Sequence, residues 1–227
     1  MRNALAAAAA LFFTFAAHAA TQQQVGFTIG PSGSLDARGT IEFRVQFANG
    51  AGTGAIRQLT DLQGLDAAAL SSPQSTPVRF RIDADAGSFD CTGHAQQQRG
   101  NGTCTFTAAS EFPARLAAVN VAPPTNEEQV RMAAHGVTLA DAAALNALGY
   151  RGLTARRLID LRIFHVTPGY IRELAALGYE RVPLDTVVDL HIFGVTTDYV
   201  RAVQAAGDRN VSLARVIDLR RSAYKPH

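Results

Sequence analysis

The sequence predicts an α+β fold, a small antiparallel β-sheet domain followed by a helical array of 29-residue helix-turn-helix repeats. Three observations carry this expectation. Between Val25 and Thr107 apolar and polar residues alternate with period two, as in strands with one buried and one wet face. From Gly136 onward, three 29-residue blocks align without a gap. Ahead of both lies an apolar leader that belongs to neither pattern.

In the leader, Arg2 precedes an almost purely apolar stretch from Ala4 to Phe15, which closes on the small-x-small triplet Ala17-His18-Ala19. This predicts a signal peptide over residues 1–19, removed on export. Its apolar core is shorter than the roughly 18 residues a spanning helix needs, and no other stretch approaches that length. The expected mature chain has no membrane span and is periplasmic or secreted. With a formal charge of only +2 over the full sequence, the chain also lacks the basic footprint of a nucleic-acid binder.

The β domain is expected over residues 20–107. Val25, Phe27 and Ile29 form one apolar row, Ile41, Phe43, Val45 and Phe47 a second, and Val78, Phe80 and Ile82 a third. Ser88 to Gln96 and Gly102 to Thr107 add a further pair. Between them, Asn49 to Gly54 reads as a loop, Leu59 to Leu70 as a short strand with one helical turn, and Ser71 to Pro77 as a connector. Gly50, Gly52 and Ala55 fit a loose dinucleotide-binding pattern, but no long helix or parallel crossover follows, so a hairpin loop is expected. A turn centred between Gln97 and Gln98 sets Phe89 against Phe106, Cys91 against Cys104 and Gly93 against Gly102. A one-residue slip would exchange the apolar and polar faces. A Cys91–Cys104 disulfide is therefore expected after export, across Cα atoms roughly 4.5 to 5.5 Å apart. Two reduced, buried cysteines are the alternative.

The helical domain is expected over 108–222, with a degenerate block at 107–135 and regular blocks at 136–164, 165–193 and 194–222, then a tail at 223–227. Six positions are identical in all three regular blocks, among them Thr138/Thr167/Thr196, Gly149/Gly178/Gly207 and Asp160/Asp189/Asp218. The threonines are expected as N-caps, with Pro168 at a first helical position. The glycines, replaced by Asn120 in the degenerate block, are expected to end each first helix in a left-handed conformation. Ala147, Ala176 and Ala205 are expected at close helix contacts. Second helices are expected after Thr154, Pro183 and Ser212, burying Leu158, Leu161 and Phe164, or Val187, Leu190 and Phe193. Helices this short need stacking for stability.

The segments Val166-Thr167-Pro168-Gly169-Tyr170 and Val188-Asp189-Leu190-His191-Ile192-Phe193-Gly194 resemble repeats of exported bacterial proteins, of the kind attached to beta-lactam-sensor-type antirepressor membrane metallopeptidases. The stretch around Pro77-Val78-Arg79-Phe80 and Gly102-Thr103-Cys104 is similar to the sheet region that precedes such repeats. The resemblance implies an extracytoplasmic appendage. The His-Glu-x-x-His helix of the metallopeptidase domain is absent, so that activity is not implied.

No catalytic set stands out. His94, His135, His165, His191 and His227 form no metal pair at helical spacing, two cysteines without a second pair do not make a zinc site, and there is no Gly-x-Ser-x-Gly elbow. Asp160, Asp189 and Asp218 recur once per block, which points to capping or bridging between blocks rather than catalysis. The expected function is therefore an exported, non-catalytic binding or protein-interaction module without cofactor or metal, for an unknown envelope protein or ligand. The alternative is an extracytoplasmic sensor that takes a small ligand or cell-wall fragment at the junction of sheet and array.

Overall fold

In the computed structural model, residues 21–33, 39–206 and 210–223 are described, without the side chain of Ala223. The expected signal peptide, Gly207 and residues 224–227 of the tail lie outside them. Six strands, β1 (Gln22–Pro31), β2 (Thr40–Gln46), β3 (Gly52–Gln58), β4 (Thr76–Ala84), β5 (Gly87–Gln96) and β6 (Arg99–Ala108), form one antiparallel sheet in the order β3-β2-β1-β6-β5-β4. The alternation sends Phe27, Phe43, Phe80, Phe89 and Phe106 to one face, where Phe89 and Phe106 meet at 4.9 Å and Phe27 and Phe80 at 5.1 Å between ring centres. The edge-on Phe27–Phe80 contact suits the aromatic quadrupole.

The β5–β6 hairpin has the expected register, with Phe89 opposite Phe106, Cys91 opposite Cys104 and Gly93 opposite Gly102. Its turn residues Gln97 and Gln98 both have positive φ, 49° and 66°, the backbone that fits a two-residue turn to the twist of its strands. Glycine faces glycine because the strands pinch there. A Cβ on Gly93 would lie 2.1 Å from the Asn101 carbonyl oxygen. A disulfide joins Cys91 to Cys104 with Cα atoms 4.0 Å apart, closer than the expected range.

β3 was not foreseen as a strand. Gly52, Gly54 and the row Thr53, Ala55, Arg57 give it no apolar alternation, because it is an edge strand whose inner face meets a helix end through polar groups. The stretch after it holds a 3-10 turn at Leu59–Asp61 and a short helix, α1 (Ala67–Ser71), with an isolated bridge from Gln63 to Arg81 in place of the expected short strand.

Eight helices follow in an array: α2 (Phe112–Ala118), α3 (Asn126–His135), α4 (Leu139–Ala147), α5 (Ala155–Ile163), α6 (Pro168–Ala176), α7 (Leu184–Ile192), α8 (Thr197–Ala205) and α9 (Leu213–Ala223). The sheet runs one residue past the expected boundary, and α9 reaches into the stretch expected as tail. Thr138, Thr154, Thr167 and Thr196 accept from backbone N–H groups three residues on, and Pro168 opens α6. Gly149 and Gly178 (φ 91° and 94°) and Asn120 (φ 59°) end their helices left-handed. Gly136, His165 and Gly194 (φ 65°, 56° and 63°) do the same at the ends of the alternate helices.

α2, α4, α6 and α8 pack in one row and α3, α5, α7 and α9 in another. Between turns, Tyr150 donates to the Val182 carbonyl and Tyr179 to the Val211 carbonyl, each at 2.7 Å. At the corresponding place nearest the sheet, the backbone N–H of Ala122 donates to Leu153 O at 3.1 Å. A polar group that would be orphaned between stacked turns thus finds a donor each time. The buried apolar residues of sheet and array form one continuous cluster, joined at α3.

Two packing expectations fail. Ala147, Ala176 and Ala205 are exposed at the last position of their helices and mark no close contact. Leu158, Leu161, Val187 and Leu190 are buried, but Phe164 and Phe193 are not. A spacing of i, i+3, i+6 walks back roughly 60° around the helix at each step, so the third residue has left the stripe the first one buries.

Candidate functional site

Two regions gather side chains with chemistry, the junction of sheet and array and the outer face of α5 and α7. At the junction α3 lies across the inner face of β3. Arg57, with a side chain 11 % exposed, reaches from β3 and donates through Nη2 to Ala133 O at 2.5 Å and through Nε to Ala134 O at 3.1 Å. These are last-turn carbonyls, at the negative end of the helix dipole, where a guanidinium is favoured. Arg162 donates from α5 to the next carbonyl, that of His135, at 3.3 Å. Burial, and less so Arg162, lowers the Arg57 pKa from its usual value, while Asp61, 3.9 Å away, raises it.

His135 closes α3 at this point, 7 % exposed, its Nε2 sharing a 2.5 Å hydrogen bond with the Thr53 hydroxyl. Desolvation, then the charges of Arg57, Arg131 and Arg162, push its pKa down to about 4. The ring is therefore neutral at physiological pH. Gln129 donates to the carbonyls of Ala86 and Ala109, and Asp85 accepts from the Leu139 N–H, so the β4–β5 turn is also held to the array. With its donors taken by backbone carbonyls, the junction is a fastening rather than an open cleft.

Three packing sites along the array hold different pairs at equivalent places. Asp141 faces Arg162 at 3.7 Å, Tyr170 meets His191 edge-on at 4.4 Å, and Arg220 lies over the Tyr199 ring at 5.1 Å. The His191 pKa is lowered by burial and then by His165, and among the described residues its buried Nε2 has no hydrogen-bond partner. Burial, then Glu173, raises the Tyr170 pKa to about 12, and its hydroxyl donates to Val195 O. These are packing roles. His94 is exposed on the sheet and His165 at the end of α5, while His227 lies outside the described residues. Among the described residues no group of three or more His, Cys, Asp or Glu is placed to hold a metal.

Asp160, Asp189 and Asp218 do not cap or bridge as expected. Among the described residues their carboxylates make no hydrogen bond or ion pair. The polar link between α5 and α7 runs instead from Arg157 to Asp185 at 2.5 Å. Just beyond these aspartates stand Ile163 (45 % exposed), Phe164 (36 %), Ile192 (51 %) and Phe193 (36 %). This face was missed because Phe164 and Phe193 were assigned to the core. The sequence did carry a signal: the corresponding residues of the last block are Arg221 and Ser222, which no core position would accept. Arg221 lies 5.1 Å over the Phe193 ring and ends the apolar strip there.

Three grooves among the described residues lie on the sheet. One of about 650 Å³ on its wet face is lined by Gln24, Gln63, Arg79, Arg81, Asp90 and threonines, and Arg81 is engaged by Asp83 and Asp90. Two others, of about 430 and 530 Å³, are lined by residues of the sheet, its turns and α1. No helix among the described residues is long and apolar enough to cross a membrane. No family model, curated protein or solved structure matches the chain.

Proposed function

We propose that the chain is an exported, non-catalytic module that binds another protein through the outer face of α5 and α7. The observation that carries this reading is the repetition of an exposed Ile-Phe pair, Ile163-Phe164 and Ile192-Phe193, on adjacent helices. Scattered single apolar residues are ordinary on a surface, but a contiguous apolar strip rimmed by charge is the form of an interaction site. The array suits this role as a stack of 29-residue units. α3, α5, α7 and α9 start at 126, 155, 184 and 213, and α4, α6 and α8 at 139, 168 and 197, so each unit repeats the same surface position. The disulfide and the leader at 1–19 support export to the periplasm or beyond.

The sensor reading calls for a deep pocket between sheet and array, whereas Arg57 and His135 fill the junction with hydrogen bonds to the end of α3 and to Thr53. Photocrosslinking in the native envelope tests the proposal. A crosslinker at position 192 captures a defined partner band and one at position 201, on α8, does not. Equal capture from both positions, or none from 192, would refute it.

A further inference from the structure

We propose that the α5/α7 face takes an extended, arginine-bearing segment of the partner protein, docked on these helices as β3 docks on α3. The inference rests on the protein-binding reading and names the chemistry of the occupant. Because α3, α5 and α7 start 29 residues apart, positions separated by 29 stand at the same place on each helix. On α3 that place is filled from within the chain. Thr53 meets His135, Arg131 donates to the Gly52 carbonyl at 3.2 Å, and Arg57 forks onto the carbonyls of Ala133 and Ala134. On α5 and α7 the counterparts of Ala134 and His135 are the exposed Ile163-Phe164 and Ile192-Phe193. The open strip is thus the continuation, along the same row of helices, of an interface the chain already uses.

The occupant's charge follows from what changes between the helices. Where α3 presents Arg131, a donor facing a strand carbonyl, α5 and α7 present Asp160 and Asp189, acceptors with no hydrogen bond or ion pair among the described residues. The carbonyls of Ile163 and Ile192, counterparts of the Ala134 carbonyl that Arg57 caps, likewise receive no hydrogen bond among the described residues. An arginine suits this face, since a guanidinium donates both to helix-end carbonyls, as Arg57 does, and to carboxylates. A second copy of the chain is a poorer occupant, because the face of β3 that docks on a helix is already buried beneath its own α3.

The test uses the intact mature chain and a labelled peptide copying Gly50–Thr60, the segment that fills this place on α3. Two-dimensional amide NMR is expected to show shifts confined to the exposed side of α5 and α7. Arg57→Glu in the peptide, or Asp160→Asn with Asp189→Asn in the protein, weakens binding by at least about tenfold, the scale of a lost charged hydrogen bond. Phe164→Ser with Phe193→Ser abolishes it. If the arginine and glutamate peptides bind this face alike, the arginine requirement is overturned while the docking face stands. Shifts centred on α3, no shifts at all, or self-association that Phe164→Ser with Phe193→Ser disrupts would overturn the inference.

Discussion

At His135 burial and three nearby guanidiniums act in the same direction, and the consequence is a pH-dependent stability. The folded pKa lies near 4 and the unfolded value near 6.5, so below 6.5 the unfolded chain takes up a proton that the folded chain refuses. The group costs nothing above that range. As pH falls from about 6.5 to about 4 it destabilises the fold progressively, by up to ~3 kcal/mol. Urea unfolding of the native chain and His135→Gln at pH 7.5 and pH 4 measures this. The native chain should lose more stability than the variant across that interval, and a difference that does not change with pH would refute the assignment. From the sequence His135 was legible only as a histidine outside any metal pair. Its partners Thr53, Arg57 and Arg162 were not, because they come from β3 and α5.

Among the elements, the β5–β6 hairpin was the most fully legible, since period-two geometry couples every pair to every other and one wrong register would turn both faces over. Strand pairing already restrains its two cysteines, so replacing both by alanine should lower stability by less than the ~3 kcal/mol given by loop entropy alone. Thermal unfolding of the double variant decides this, and a larger loss would mean that the bridge holds the hairpin together. The threonine caps and the left-handed ends at Asn120, Gly149 and Gly178 were equally readable, whereas those at Gly136, His165 and Gly194 were not. Gly178 sits at φ 94° with open space around the position of a Cβ, so Gly178→Ala isolates the backbone penalty, about 1 to 2 kcal/mol. A melting curve unchanged by that substitution would remove the reason given for the recurring glycine. β3 was illegible because its burial is supplied by a helix end and its inner face is polar, which leaves no periodic signal.

For the molecule as a whole, the sheet and the array share one core through α3, and the array then continues away from the sheet with its outer face open. Leu190, on the last turn of α7, and Phe193, just past its end, stand three residues apart but on different sides of the helix. Leu190→Ala should cost about 2 to 5 kcal/mol, as a buried leucine does, whereas Phe193→Ser, at a residue 36 % exposed with Arg221 over its ring, should cost clearly less. Chemical denaturation of the two variants side by side is the check. A large loss for Phe193→Ser would return this residue to the core and remove the binding face with it.

The sequence by itself determined the α+β order, the hairpin register with its cysteine pair, the threonine caps and the left-handed ends at Asn120, Gly149 and Gly178, all of which depend on residues close along the chain or on strict period-two pairing. The tertiary structure alone decided that β3 exists, that Arg57 and His135 fasten the sheet to α3, and that Ile163, Phe164, Ile192 and Phe193 face outward. Those outcomes depend on which helix lies against the sheet. α3 uses this face to bury β3, while α5 and α7 carry the same face past the sheet edge, where no element of the described chain covers it. Helical periodicity assigns an apolar residue to a stripe, but only the neighbouring element determines whether that stripe is core or surface.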